Sequence, residues 1–99
     1  MILYNVTVAL DPAIHEEWFD WMKNKHIPAV MATGKFEEWK MFRVLNEEEG
    51  GITYSIQYFA KDMKTLQEYS TQFAPQLQRD HQEKYEGKIA AFRTLLEQV

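Results

Sequence analysis

The sequence predicts an α+β domain of order β-α-β-β-α-β, with four antiparallel strands and two helices packed on one face of the sheet. Three observations predict it. The segments "ILYNVTVAL" and "ITYSIQYFA" carry β-branched and aromatic residues with the period of two of half-buried strands. Two further stretches repeat apolar residues at helical spacing, each opened by an aspartate suited to an N-cap. The 99 residues, 45% hydrophobic and 14% aromatic, suffice for a single domain (1–99) with one modest core.

In the first strand Ile2, Tyr4, Val6, Val8 and Leu10 fall on one face, and Asn5 and Thr7 on the other. Asp11-Pro12 places an N-cap before a proline at the first helical position. Ile14, Trp18, Trp21 and Met22 then recur on one side of a helix. Pro28 disfavours helical geometry at Ile27, so this helix is expected to end or kink near His26, with "ATG" supplying a glycine stop. "KFEEWKMFRVL" and "ITYSIQYFA" read as strands joined through "NEEEGG", whose charges and paired glycines suit a hairpin connection. Asp62 opens a second helix carrying Met63, Leu66, Phe73, Leu77 and His81 roughly along one face, and Pro75 should break it near Ala74. After Gly87, "KIAAFRTLLEQV" supplies the last strand.

Right-handed crossovers turn this order into the ferredoxin-like arrangement. Two helices cover one sheet face only. Trp39 and Met41 oppose Phe42 and Val44, and Ile89 and Leu95 oppose Phe92 and Leu96, so both faces carry large apolar groups. A second copy covering the open face, in a symmetric homodimer, resolves this.

The totals exclude several function classes. Without cysteine there is no disulfide framework, thiolate zinc site or thiol nucleophile, and a cytoplasmic location fits. A formal charge of −4 disfavours nucleic acid as a partner. No window is long and apolar enough for a membrane span, and no signal peptide is read at the start. "HEEW" lacks the second histidine of a zinc-protease helix, "ATGK" lacks the rest of a phosphate loop, and "NEEE" reads as a solvated turn. No metal and no cofactor is expected.

The segments "WFDWMKNKHIPAVMATGKF", "GITYSIQYF", "FAPQL" with a following histidine, and the terminal "FRTLLE" resemble the bacterial domain-of-unknown-function family 4286 over nearly the whole chain. Fold order and the His-Ile-Pro sequence also resemble the wider dimeric α+β barrel superfamily. That resemblance implies paired sheets closing into one barrel, with small-molecule pockets between helices and sheet. Its members include cofactor-free monooxygenases, haem-degrading enzymes and lactone isomerases. Haem-degrading members use an asparagine on the first strand, a tryptophan on the third and a histidine on the second helix. Asn5 and His81 match by position, but Gln57 or Tyr58 stands where the tryptophan should be, which argues against haem degradation.

Candidate site residues follow from residue type and position. Asn5 and Thr7, with Thr53, Ser55 and Gln57 on the neighbouring strand, form a polar row that would line a pocket or bond to itself across the strands. His26, titrating near neutrality, is a candidate acid, base or ligand contact, or else a cation completing a helix end, with Thr33 and Lys35 near the same opening. His81, on the apolar side of the second helix, is the other catalytic candidate, or a satisfied core histidine. Arg93 suits a carboxylate ligand, an internal acidic partner or the dimer seam. Trp18, Trp21 and Trp39 suit core or dimer contacts, or the walls of a site for a planar ligand.

Three functions fit. The first is a dimeric protein binding a small apolar or aromatic molecule through Asn5, Gln57, His26, His81 and Arg93. The second is a cofactor-independent monooxygenase or isomerase with His26 or His81 as acid/base and Asn5 or Gln57 holding an oxyanion. The third is an interaction dimer without ligand.

Overall fold

A computed structural model describes residues 1–45 and 51–99. The sheet has the order β2-β3-β1-β4 and is antiparallel throughout: β1 (Ile2–Leu10), β2 (Glu38–Arg43), β3 (Ile52–Ala60) and β4 (Ile89–Glu97). The helical layer comprises α1 (His15–Trp21), a π-helical segment (Met22–His26), α2 (Ile27–Met31), α3 (Met63–Gln72) and α4 (Ala74–Lys84). No helix among the described residues is long and apolar enough to cross a membrane. The expected hairpin connection, with its acidic run, falls on 46–50, outside the described residues.

The most regular alternation in the sequence occupies the centre of the sheet. β1 pairs with β3 on one side and β4 on the other, with Val6 opposite both Ile56 and Arg93. Its five even-numbered side chains all face the helices and are buried, together with Tyr54, Ile56, Tyr58 and Ala60 of β3. Trp18, Met22, Ile27, Val30 and Leu66 pack onto them from above. Burying a side chain of this size stabilises by about 1.5–3 kcal/mol, so this one layer holds most of the fold's driving force. β2 and β4 are edge strands, and Phe42, Phe92 and Leu96 leave about half or more of their surface exposed on the face away from the helices. β2 begins at Glu38 rather than at the expected Lys35.

The caps form as the sequence predicts. Asp11 Oδ1 accepts a hydrogen bond from the Ala13 amide at 2.8 Å, and Asp62 Oδ1 accepts from the Thr65 amide at 2.8 Å and its hydroxyl at 2.7 Å. Gly34 and Gly87 adopt φ of 76° and 75°, the left-handed conformation that lets the chain leave α2 and α4. Pro75 divides the second helix at Phe73, whose φ of −122° departs from helical geometry.

The first helix does not end at His26. Ile27 is helical (φ −60°, ψ −44°) and its amide bonds to the Met22 carbonyl five residues back, closing a π-turn before α2 continues to Met31. Pro28, with no N–H to donate, stands directly after the change of hydrogen-bond register. Ile27 thus keeps the αR conformation that a residue before proline usually avoids, and the chain passes Pro28 through a change of register rather than a stop.

Candidate functional site

The π-helical segment places His26. In a regular α-helix residues five apart point about 140° away from each other. Widening the turn brings them onto one side, so the rings of Trp21 and His26 stack with centroids 5.0 Å apart. His26 is turned towards α4, where His81 stands one face inward beyond the Pro75 break. The two imidazoles meet with centroids 5.1 Å apart. Trp18 lies beneath them and donates its indole N–H to His81 Nε2 at 3.0 Å.

Both histidines are held uncharged by burial. His81 is 3% exposed, and its pKa is lowered to about 3 by desolvation and then by the neighbouring His26. His26 is lowered to about 4 by desolvation, partly opposed by Asp80 and assisted by Arg93. The indole N–H can only donate, so Nε2 of His81 is an acceptor and its proton resides on Nδ1.

The two rings border a cavity of ≈ 20 Å³ between helices and sheet, also lined by Tyr4, Tyr58, Gln78 and Arg93. A volume of that size holds about one water. Tyr4 projects into it from β1, and its hydroxyl accepts from Arg93 Nε at 3.1 Å and from Gln78 Nε2 at 3.3 Å. Burial pushes the hydroxyls of Tyr58 and Tyr69 well above the usual tyrosine range, so both remain protonated donors.

Of the sequence candidates, His26, His81 and Arg93 converge on this cavity, and Asn5 and Gln57 do not. Asn5, opposite Gln57 in the register, lies on the sheet face away from the helices. There Ser55 Oγ donates to Asn5 Oδ1 at 2.6 Å, Asn5 Nδ2 donates to Thr7 Oγ1 at 3.1 Å, and Gln57 Nε2 reaches Ser55 Oγ at 3.4 Å. The polar row satisfies itself across the strands. The physical reason is the pleat: apolar even positions claim the helix-covered face and send Asn5 to the other side. Asn5 and His81 therefore stand on opposite sides of the sheet, unlike one shared haem pocket.

Thr33 and Lys35 also stay out of the cavity. Thr33 bonds back to the Val30 carbonyl at 2.7 Å, and Lys35 pairs with Glu68 at 3.2 Å. His15 sits apart, its Nε2 2.6 Å from the Tyr54 hydroxyl. Among the described residues no three His, Cys, Asp or Glu side chains are grouped as metal ligands. Tyr4, Tyr58, Tyr69 and Gln78 are the polar lining residues that sequence reasoning missed. Tyr4 reads as one more apolar position of the strand, and its only signal was a hydroxyl on a face otherwise made of Ile, Val and Leu.

A family model described as domain of unknown function (DUF4286) matches residues 1–99. No curated protein matches the chain. Among solved structures, an ethyl tert-butyl ether d (ethd) family protein from Bacillus halodurans superposes with a TM-score of 0.71 at 16% identity, over all of both chains. A dimeric ferredoxin-like protein from an uncultured marine organism gives 0.62 at 16% identity, covering 99% of this chain and 97% of that one. SnoaB, a cofactor-independent oxygenase from Streptomyces nogalater, gives 0.61 at 12% identity, covering 98% and 92%. At such identities the likeness is one of fold.

Proposed function

The chain belongs to the DUF4286 family, and from that premise we propose that it binds a small molecule between helices and sheet at the His26–His81 cavity, whose walls part beyond its one-water volume to admit it, as one half of a symmetric dimer. The observation that carries the reading is the stacking of two uncharged imidazoles at one cavity, 5.1 Å apart, beside the Tyr4 hydroxyl and the Arg93 guanidinium. Apolar side chains would close this gap at lower cost, because each desolvated imidazole is penalised unless a partner satisfies it. Perturbed titratable groups grouped around a concave, aromatic-walled space are the physical mark of a binding site.

Support for the dimer comes from the open sheet face. Phe42, Phe92 and Leu96 there are about half or more exposed around the self-bonded polar row, and a similarly folded solved protein is dimeric.

Binding is favoured over catalysis for the unliganded site. With a pKa of about 4, His26 is free of its proton at pH 7 but is a weak base, far from the near-neutral value that suits general-base work. The oxygenase reading keeps one specific support, the likeness of fold to a cofactor-independent oxygenase.

Side-chain ¹H–¹⁵N spectra of the histidines test the proposal, recorded while short carboxylates, amides, amines and phenols are added in turn. Saturable shifts of both His26 and His81 with at least one class, lost in His26→Ala, are expected. Their absence with every class would leave the histidines a structural pair and overturn the reading.

A further inference from the structure

We infer that the cavity between helices and sheet is a built site for one water molecule, shared by Tyr58 on β3, Tyr69 on α3, His81 on α4 and His26. The site stands whether or not a ligand binds there, and it decides what such a ligand meets. The inference comes from setting unbonded polar atoms against the space they border. Among the described residues, the tyrosine hydroxyls bonded to protein are those of Tyr4 and Tyr54. Tyr58 and Tyr69 are each 2% exposed, and both line the cavity. Tyr85 is the contrast: its buried hydroxyl is sealed in without a partner, and Tyr85 lies outside that lining.

The histidines complete the set. His81 uses Nε2 as the acceptor for Trp18, so its Nδ1–H is left to donate. His26, uncharged, keeps one ring nitrogen as an acceptor. A water can accept from His81 and one tyrosine while donating to His26 and the other tyrosine oxygen. That falls within the range of about two to four hydrogen bonds that buried waters make. Arg93 is exposed to solvent and commits Nε to Tyr4, so the cavity needs no anion.

The volume agrees. A cavity of ≈ 20 Å³ takes one water and little else. An apolar void of this size would stay dry, but two hydroxyls and two imidazoles border this one. Left dry, it would strand groups that native interiors almost always satisfy. Filled, it ties the π-helical segment, α3 and α4 to β3 through one molecule. A ligand of the proposed pocket therefore either displaces a water held by several hydrogen bonds or bonds through it.

Tyrosine-to-phenylalanine substitutions read the occupancy by the sign of their effect. With water present, Tyr58→Phe removes a hydrogen bond and should lower the thermal midpoint by about 4–8 °C, the loss expected of one such bond in a domain of this size. In a dry cavity the same change relieves a stranded hydroxyl and raises the midpoint. Tyr85→Phe is the control, and its midpoint should hold or rise. A Tyr58→Phe midpoint that rises, holds or falls no further than that of Tyr85→Phe would overturn the water. A crystal structure of the unaltered protein reads the site without any variant. One compact density peak within hydrogen-bond reach of His81 Nδ1 and a tyrosine hydroxyl is expected. An empty or closed cavity would overturn the assignment, and so would an elongated feature, which would leave the small-molecule pocket in place. Ligand titrations of the histidine resonances bear on the pocket alone, and their failure would leave the water where it is.

Discussion

The imidazoles of His26 and His81 lie with ring centroids 5.1 Å apart and planes inclined by 40°, each presented by a helix that proline has altered. Pro28 follows the π-turn that swings His26 inward, and Pro75 starts the half-helix that carries His81. Backbone irregularity and site therefore coincide, as they often do for π-turns.

Acid should destabilise the fold earlier than its carboxylates alone would. The folded pKa values, about 4 for His26 and about 3 for His81, lie below the unfolded value near 6.5. Below pH 6.5 the unfolded chain binds more protons than the native one, so stability falls with pH from about 6.5 towards 4 and is fully present above. By pH 5 the loss should be about 2 kcal/mol for His81 and less for the partly exposed His26. Denaturant unfolding at pH 7 and pH 5 measures it, with His26→Phe expected to reduce the difference. An equal free energy at the two values would mean that the rings are charged or solvated in the native state.

Trp18→Phe should act through His81. Trp18 is fully buried, so the smaller ring leaves a cavity, and Nε2 of His81 loses its donor. A cost of about 2–4 kcal/mol is expected. A purely steric role would change stability alone, whereas the hydrogen bond also fixes the tautomer. The ¹⁵N shifts of His81 should therefore move from a single Nδ1–H form towards a mixture.

Much of this was legible in the sequence. The alternation of β1 and β3, the caps at Asp11 and Asp62 and the break at Pro75 are local rules, and nothing in the tertiary fold overrides them. The irregularity expected near His26 is there, but as a π-turn: the rule for residues before proline marks a boundary without saying whether the chain stops or changes register, and Ile27 keeps the helical geometry that the rule disfavours. Asn5 and Gln57 were paired correctly but assigned to no face. Periodicity separates two faces without saying which one meets the helices. The unbroken apolar set at Ile2, Tyr4, Val6, Val8 and Leu10 held the answer, since a face under two helices has the least room for polar atoms.

Gly87→Ala isolates a backbone effect. A Cβ at Gly87 would meet nothing within 4 Å, so no clash enters, and the only cost is the left-handed φ of 75°. About 1 kcal/mol is expected, roughly 4–8 °C in midpoint for a domain of this size. Gly34, equally free of neighbours at φ 76°, should give a similar value. A much smaller shift at both sites would show that the turns re-form with another geometry.

Phe92→Lys tests the open face. Phe92 is 61% exposed in the single chain, so in a monomer the substitution would be nearly silent, within about 0.5 kcal/mol. In a symmetric dimer closed over this face the same change buries two lysines against apolar surface, and each desolvated charge costs several kcal/mol. Sedimentation should then give a dimer for the natural chain at micromolar concentration and a monomer for the variant, with a thermal midpoint that depends on concentration only in the former. A natural chain that sediments as a monomer would remove the second copy. The exposed phenylalanines would then need another partner, while the His26–His81 cavity, enclosed within one chain, would be unaffected.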